Sequence, residues 1–296
     1  MKIENCTLVV SSCDKYKSAW MPYFTLLKKY WPEHPSDIYL ITETKQYHDN
    51  ELDIKVFNMD GVPWSTRICC CLESIKTKYI IFSLEDFFLQ DYVKTNAIAK
   101  CVMWMEKNEK IAVCRFYPSD SKYLEPSDKY SPFRFASSHN MRLETQFAIW
   151  NRETLISFID KSESPHQFEY QGSNRTVDSN YKFLWYYGNQ HDIKGMIFPY
   201  LNWLEDGCNI HFGKYLWNNK RLFEQNDIKG VRMHELGLIS QRGLQIRLKY
   251  LYGDKLKGIG KLLKLFYTVY DKFDRLLRSI LVFGLKKGIQ KMVKPY

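Results

Sequence analysis

Apolar runs and helically spaced apolar residues alternate along the first half of the chain. The runs predict buried strands over residues 6–12, 37–42, 54–58, 79–84 and 111–117. Between them, apolar residues at three- and four-residue steps predict helices over 18–30, 65–76 and 96–108, with Ser65 as an N-cap and Pro22 tolerated only near a first turn. Strand–helix–strand units with apolar strands predict an α/β fold, a mainly parallel sheet flanked by helices.

The pattern becomes irregular from about residue 119. Residues 119–139 are rich in Ser, Pro, Asp and Tyr, which predicts a long functional loop. A strand over 145–150, a helix over 152–161, a loop over 162–172 and short mixed segments over 178–240 are expected to follow. The second half of the chain is therefore expected to contain more loop than the first.

Charge divides the chain into two regions. The 296 residues carry a formal net charge of +10, yet residues 241–296 contain 14 Lys and Arg against 3 Asp and Glu, and residues 1–240 contain 29 against 30. This asymmetry predicts a main domain over residues 1–240 and a basic helical extension over 241–296.

The basic extension has an amphipathic helical pattern, with two parallel apolar rows flanked by Lys and Arg. The rows are Leu256, Ile259, Leu263, Phe266, Tyr270, Phe273, Leu277 and Ile280, and then Leu262, Val269, Leu276 and Phe283. The pattern predicts a helical segment over 255–292 that lies on an anionic membrane surface. A helix packed on the main domain or on a second copy in a homo-oligomer is the alternative.

Cysteine usage indicates a reducing compartment. The eight cysteines include no CxxC pair, and the consecutive Cys69, Cys70 and Cys71 point in different directions, so buried free thiols are expected. The sequence shows no signal-peptide pattern and no apolar stretch of roughly 20 residues. We expect a cytoplasmic protein, peripherally associated with the inner face of the cytoplasmic membrane.

Polar residues end or follow three of the predicted strands. They are Ser11, Ser12, Asp14, Thr42, Glu85 and Asp86. Because ligands of open parallel sheets bind outside the carboxyl ends of the strands, these residues predict a site for a nucleotide and a divalent cation. Ser, Thr and Asp are also ordinary turn and helix caps, so a structural role stays open for each.

The acidic pair Glu85–Asp86 stands between two apolar runs. Buried carboxylates are costly unless they are paired or bound to metal. Their oxygens suit Mg²⁺ or Mn²⁺ that bridges a diphosphate, so the pair predicts a cation site. Capping of a helix that begins near Phe87 is the alternative.

Six short stretches resemble one enzyme family. They are residues 11–20, 30–32, 64–67, 84–89, 146–151 and 164–169. Together they resemble bacterial GT-A-type glycosyltransferases of capsule, exopolysaccharide and lipopolysaccharide biosynthesis, over roughly residues 6–215. The resemblance implies a GT-A-like, Rossmann-like fold and makes residues 1–240 the catalytic domain.

The resemblance also implies which residues bind the donor. Base and ribose contacts would come from Ser11, Ser12 and Asp14, and Trp64, Ser65 and Arg67 would lie beside the nucleotide. The strand-end positions of Thr42 and Glu85 add them to the predicted donor site. Gln146 could bond the sugar and Lys214 could reach a phosphate, but a solvated polar side chain is the alternative for both. Among these, Arg67 would meet a phosphate by bidentate hydrogen bonds.

A metal site is implied as well. Asp86 would be the last acid of the family's DxD motif and bind Mn²⁺ or Mg²⁺, with His211 as a further ligand. Glu85–Asp86 departs from a strict DxD motif, however. A metal-independent reaction, in which Arg67 and Lys side chains stabilise the leaving diphosphate, therefore stays open.

The acceptor hydroxyl needs a general base. The resemblance implies Glu169, which follows the aromatic loop where the family places its acceptor, and Asp178 and Glu144 are the alternatives. Each of the three also fits a solvated surface carboxylate. A separate carboxylate base favours inversion at the sugar.

The sequence thus predicts a glycosyltransferase. It would move a sugar from a nucleotide-sugar donor, a UDP-sugar first, to a hydroxyl of a lipid-linked or growing bacterial surface glycan. A non-catalytic nucleotide- or sugar-binding scaffold is the alternative. A nucleic-acid-binding protein is disfavoured, because the basic residues flank a continuous hydrophobic face and no nucleic-acid motif occurs.

Overall fold

A computed structural model describes residues 3, 5–119, 121–138, 141–189, 192–200, 210–211, 214–215 and 218–231. The chain divides into two units, Met1–Leu236 and Gly237–Tyr296, and everything described below belongs to the first. The catalytic-domain boundary at residue 240 and the helix over 255–292 stay predictions, since both lie outside the described residues.

One sheet of nine strands forms the centre of the described part. The strands are β1 (Cys6–Ser11), β2 (Asp37–Thr42), β3 (Ile54–Asn58), β4 (Tyr79–Leu84), β5 (Ile111–Ser119), β6 (Leu124–Glu125), β7 (Phe133–Ala136), β8 (Ala148–Asn151) and β9 (Lys182–Tyr187). Their order is β3-β2-β1-β4-β8-β5-β9-β7-β6. A separate antiparallel pair joins β10 (Ile210–His211) to β11 (Lys214–Tyr215).

Most strands run in one direction, as predicted. Parallel pairing joins β3, β2, β1 and β4, and also joins β5 to β9. Strand β8 lies antiparallel between β4 and β5, and β7 is antiparallel to β9. The amino end of β8 therefore lies at the same edge of the sheet as the carboxyl ends of its neighbours.

Helices cover both faces of the sheet. They are α1 (Lys17–Tyr30), α2 (Trp64–Ser74), α3 (Thr95–Lys107), α4 (Arg152–Phe158), α5 (Pro165–Gln167), a π-helical turn (Phe168–Gly172), α6 (Ser173–Arg175) and α7 (Asn218–Gln225). Apolar side chains of α1 and α3 pack on one face, and those of α2 and α4 pack on the other. Burial on both faces explains why the strands are continuous apolar runs.

Two details of the predicted helices are wrong. Pro22 lies in the second turn of α1 and is buried, so packing on the sheet offsets the backbone hydrogen bond that proline cannot make. Ser65 is the second residue of α2, whose N-cap is Pro63. The Ser65 backbone N–H donates to the Glu163 carbonyl at 3.2 Å, which satisfies one of the donors that the first turn of a helix leaves unpaired.

The two predicted loops contain regular structure. Strands β6 and β7 pair within residues 119–139 and extend the sheet at its edge. Residues 165–175 are helical, with a capping box in which Ser164 and Gln167 bond each other's backbone and Pro165 opens the helix. These short signals were hidden by the polar composition of both stretches.

The sequence prediction of buried free thiols is confirmed for five of the seven cysteines within the described residues. These are Cys6, Cys69, Cys71, Cys101 and Cys114, whereas Cys13 and Cys70 are free thiols that are partly exposed. Burial raises the pKa of Cys6 and of Cys71 to about 12, so both are protonated and unreactive at neutral pH. None of the helices in this part of the chain has both the length and the hydrophobicity needed to cross a bilayer.

Candidate active site

The carboxyl ends of three central strands are level with one another. Ser11 of β1 pairs with Ile41 of β2 and with Leu84 of β4. The next residues, Ser12, Thr42 and Glu85, therefore stand side by side on adjacent strands. Residues 144–146, just before β8, lie at the same edge because β8 runs the opposite way.

Two indole groups fix the hydroxyls at the end of β1. Trp64 Nε1 donates to Ser11 Oγ at 2.9 Å, and Trp20 Nε1 donates to Ser12 Oγ at 2.7 Å. The Trp64 ring lies 5.6 Å from the ring of Phe168, between centroids, and is half-buried. A serine hydroxyl that accepts from an indole keeps its own proton to donate, so Ser11 can still bond a ligand.

The carboxylate of Asp14 accepts hydrogen bonds from the loop that follows β2. Its carboxylate accepts from the Thr44 hydroxyl at 2.6 Å, from the Thr44 backbone N–H at 3.2 Å and from the Lys45 backbone N–H at 3.1 Å. Although burial opposes the change, the hydrogen bonds from Thr44 and Lys45 lower the pKa of Asp14 to about 2. The Asp14 side chain therefore stabilises the loop after β2, and its carboxylate oxygens already accept hydrogen bonds there.

The guanidinium of Arg67 also bonds groups within the fold. Its Nη1 donates to Glu43 Oε1 at 2.7 Å, and its Nε donates to the Met59 carbonyl at 2.9 Å. The other oxygen of Glu43 accepts from the Asp14 backbone N–H. Glu43, which directly follows β2, therefore links the expected phosphate-binding arginine to the end of β1.

Two further expected donor-binding hydroxyls have different surroundings. Thr42 Oγ1 accepts from Asn58 Nδ2 at 2.5 Å and donates to the Lys45 carbonyl at 2.9 Å, so it stabilises the same loop as Asp14. Ser65 Oγ is buried and has no hydrogen-bond partner among the described residues.

The acidic pair lies buried at the end of β4. Glu85 is 7% exposed and Asp86 is 5% exposed. Burial, followed by the charge of Asp86, raises the pKa of Glu85 well above its usual value, although a hydrogen bond from Ser12 opposes this. Within the described residues no group of three or more His, Cys, Asp and Glu side chains is arranged to hold a metal ion.

A buried ion pair lies on the other side of β8. Arg115 of β5 bonds Glu144, and its guanidinium Cζ lies 3.4 Å from the centroid of the Trp185 ring. Burial raises the pKa of Glu144, Arg115 opposes this rise and the charge of Glu169 adds to it. Sequence reasoning missed Arg115, yet a lone cation inside the apolar run 111–117 was a usable signal.

Glu169 is held at this edge by Thr145. The Thr145 backbone N–H and hydroxyl donate to Glu169 Oε1 at 2.8 and 2.6 Å. The side chain of Glu169 keeps 18% of its surface exposed. The π-helical turn therefore brings a fixed, solvent-accessible carboxylate close to Glu144.

Gln146 stands beside a buried tyrosine. The Tyr200 hydroxyl donates to Gln146 Oε1 at 2.7 Å, and the Tyr200 ring stacks on Phe87 with centroids 4.5 Å apart. Phe87 directly follows the acidic pair, so this stack joins the end of β4 to the residues before β8.

One expected residue, Asp178, is not joined to this cluster. Asp178 is exposed and precedes β9, whose first residue is level with Ile111 at the start of β5, so it lies toward the opposite edge of the sheet. His211 and Lys214 pair across β10 and β11. The side chains of His211 and Lys214 lie outside the described residues.

Comparisons with known proteins find only distant structural likeness. No protein-family model matches the chain, and no curated protein does so significantly. A mannosyltransferase from Pyrobaculum calidifontis, solved with GDP-Man and Mn²⁺, is 10% identical, with a TM-score of 0.43 over 95% of this chain and 86% of that one.

Two further solved structures are similar at the same level. A cytidylyltransferase from Leptospira borgpetersenii is 10% identical, with a TM-score of 0.41 over 64% of this chain and 77% of that one. S. aureus TarS 1–349 is 9% identical, with a TM-score of 0.40, and the match spans 63% of this chain and 60% of that structure. Likenesses this distant say nothing about substrate.

Proposed function

We propose that the chain is a glycosyltransferase that moves a sugar from a nucleotide-sugar donor, a UDP-sugar first, to a hydroxyl of a bacterial surface glycan or its lipid-linked precursor. The observation that carries the proposal is the edge formed by β1, β4 and β8. This edge brings together the serine hydroxyls at the end of β1, the buried acids at the end of β4 and the Glu144 carboxylate before β8. Thr145 holds the Glu169 carboxylate of the π-helical turn at the same edge.

The donor would lie across the ends of β1 and β4. Ser11 has a hydroxyl proton to give to the base or ribose, and Trp64 offers a half-buried ring beside it. Ser12, fixed by Trp20, would bond the donor next to Glu85. Glu43 and Asp14 would act indirectly, by holding Arg67 and the loop after β2 in place.

Glu169 would serve as the general base. Two donors from Thr145 fix its carboxylate, which remains partly exposed and so can accept a proton from an acceptor hydroxyl. Direct attack by that hydroxyl would break the bond between sugar and diphosphate with inversion at the sugar. Glu144 is less suited, because Arg115 already bonds it.

The acidic pair fits a divalent cation. Two adjacent buried carboxylates, one of which has a raised pKa, are stabilised when a cation replaces the proton. Mg²⁺ and Mn²⁺ accept only one or two protein carboxylates when phosphate oxygens and water complete the shell, so Asp86 and Glu85 would suffice. The cation would neutralise charge on the leaving diphosphate.

Product analysis tests this proposal. The full chain is incubated with a panel of nucleotide sugars, with and without Mn²⁺, and products are separated by anion-exchange chromatography. Release of nucleoside diphosphate supports glycosyl transfer or hydrolysis. Formation of pyrophosphate from nucleoside triphosphate and sugar phosphate would instead indicate nucleotidyl transfer. The proposal fails if the protein neither binds nor hydrolyses any donor.

A further inference from the structure

One side of β9 carries three stacked pairs of arginine and aromatic ring. Phe183, Trp185 and Tyr187 alternate along the strand and so share one face of the sheet. Each has a guanidinium close to its ring. The Cζ-to-centroid distances are 5.1 Å for Arg142 on Phe183, 3.4 Å for Arg115 on Trp185 and 3.3 Å for Arg134 on Tyr187.

Of the three rings in these pairs, only the one at the edge that holds the candidate active site is accessible to solvent. Phe183 is 1% exposed and Trp185 is 4% exposed, whereas Tyr187, at the carboxyl end of β9, is 37% exposed. Arg134, which stacks on Tyr187, is half-buried. The accessible end of this arginine–aromatic face therefore lies next to the Arg115–Glu144 pair, whose carboxylate faces Glu169.

Several hydrogen-bond donors of this face have no acceptor among the described residues, and part of its positive charge has no carboxylate partner there. Arg115 Nε and Trp185 Nε1 are buried and have no hydrogen-bond partner among the described residues, and the same holds for Arg142 Nε. Glu144 forms an ion pair with Arg115. Within the described residues no carboxylate lies within salt-bridge distance of Arg134.

We propose that this arginine–aromatic face is the acceptor subsite, and that the acceptor is a saccharide carrying an anionic group, either a carboxylate or a phosphate. Sugar rings present flat C–H faces that pack on an aromatic ring such as Tyr187. Guanidinium groups such as Arg134 bind carboxylate and phosphate by charge-assisted hydrogen bonds. This inference rests on the proposed glycosyl transfer, which would place the acceptor hydroxyl near Glu169.

Calorimetric titration of the full chain tests the inference without requiring turnover. The probes are methyl β-glucuronide, glucose 6-phosphate and the neutral methyl β-glucoside, which separate carboxylate, phosphate and the sugar ring. We expect a charged probe to bind roughly tenfold more tightly than the neutral one. Arg134→Gln should remove most of that preference, and Tyr187→Ala should weaken all binding. Circular dichroism of each variant checks that it folds.

The control is Lys100→Gln, which removes a cation that stacks on Trp104 at 5.0 Å on α3. It should leave probe binding unchanged. Equal affinity for charged and neutral probes, or an Arg134→Gln variant that binds like the unmodified chain, would overturn the inference. So would displacement of the charged probe by UDP, because the face would then belong to the donor. If the unmodified chain binds no nucleotide sugar but shows Arg134-dependent binding of the charged probe, only the proposed transfer fails.

Discussion

Asp14 illustrates how a residue expected to bind ligand can have its hydrogen-bonding capacity used within the fold. Its carboxylate accepts from three donors of Thr44 and Lys45. The residue type and its position after β1 were visible in the sequence, but its partners, about 30 residues away, were not. Sequence could place Asp14 at the correct edge of the sheet without deciding what it bonds there.

The pH dependence of stability checks this role of Asp14. Because folding lowers the pKa of Asp14 to about 2, its ionised form stabilises the fold above its ordinary pKa of 3.8, and this contribution is lost as the pH falls toward 2. Asp14→Asn should lower the free energy of unfolding at pH 7 by at most about 1 kcal/mol, since the group is partly exposed.

Urea unfolding between pH 7 and pH 2 measures this difference. The gap between Asp14→Asn and the unmodified chain should shrink as the pH falls toward 2. The exposed Asp178→Asn is the matched control and should show no such trend. A gap that stays constant over this range would contradict the role assigned to Asp14.

At the scale of elements, residues 165–175 depend on one ion pair whose carboxylate is buried. Arg175 bonds both oxygens of Glu163 at 2.7 Å and also donates to the Phe158 carbonyl. Glu163 is 2% exposed, and its backbone carbonyl accepts from Ser65 of α2. The pair therefore holds the π-helical turn that carries Glu169 against α2 and the end of α4.

Removal of Arg175 should be destabilising. Arg175→Met leaves the buried Glu163 carboxylate without its partner, and the cost should be about 1–2 kcal/mol, less than for a fully buried pair, because the Arg175 side chain is 35% exposed. Lys161→Met is the control, because Lys161 and Glu73 form an exposed pair at 3.1 Å that solvent screens, so its loss should hardly change stability. Urea unfolding midpoints measure both losses.

A double variant isolates the effect of the buried charge. Glu163→Gln combined with Arg175→Met should recover part of the stability, since it removes the carboxylate that Arg175→Met leaves unpaired. Similar losses for Arg175→Met and Lys161→Met would show that the pair of Arg175 and Glu163 does not hold this segment.

Elements differ in how well the sequence predicted them. The strands β1, β2, β3 and β4 were predicted within one residue. The runs of β1, β2 and β4 are mostly apolar because these strands are largely buried, whereas β3 is partly exposed. The antiparallel direction of β8 was not predictable, since strand direction depends on connections between distant segments. The helical character of 165–175 was missed because a capping box and one proline are brief signals within a polar stretch.

The sequence likewise indicated some residues of the candidate site and not others. Strand ends and the resemblance together indicated the β1 and β4 residues, and the sheet brings them side by side. Arg115 was missed and the partner of Glu43 could not be foreseen, because Glu144 and Arg67 lie far from them along the chain. The order of residues along the chain does not show which of them the sheet topology brings together.

For the whole molecule, the division of charge is the feature from which we predict association with a membrane. Residues 1–240 are nearly neutral and residues 241–296 carry an excess of 11 positive charges. We predict that a chain shortened after Ser240 loses at least about tenfold in affinity for vesicles that contain phosphatidylglycerol, because each basic residue near such a surface contributes about 1 kcal/mol.

Co-sedimentation at graded salt measures that loss. The full chain should bind anionic vesicles less tightly as salt rises, and should not bind phosphatidylcholine vesicles. Strong retention on DNA with no vesicle binding would contradict the membrane role and favour nucleic acid as the partner.

The most direct test of the central claim compares two Asp→Asn substitutions at opposite edges of the sheet. Nucleoside diphosphate released from a donor sugar is measured with Mn²⁺ for the full chain, Asp86→Asn and Asp178→Asn. We predict that Asp86→Asn reduces the rate by about 100-fold or more, because charge on the leaving diphosphate is no longer neutralised. Asp178→Asn should remain about as active as the unmodified chain. Equal activity of all three proteins, or a loss confined to Asp178→Asn, would contradict the placement of the active site at the carboxyl ends of β1 and β4.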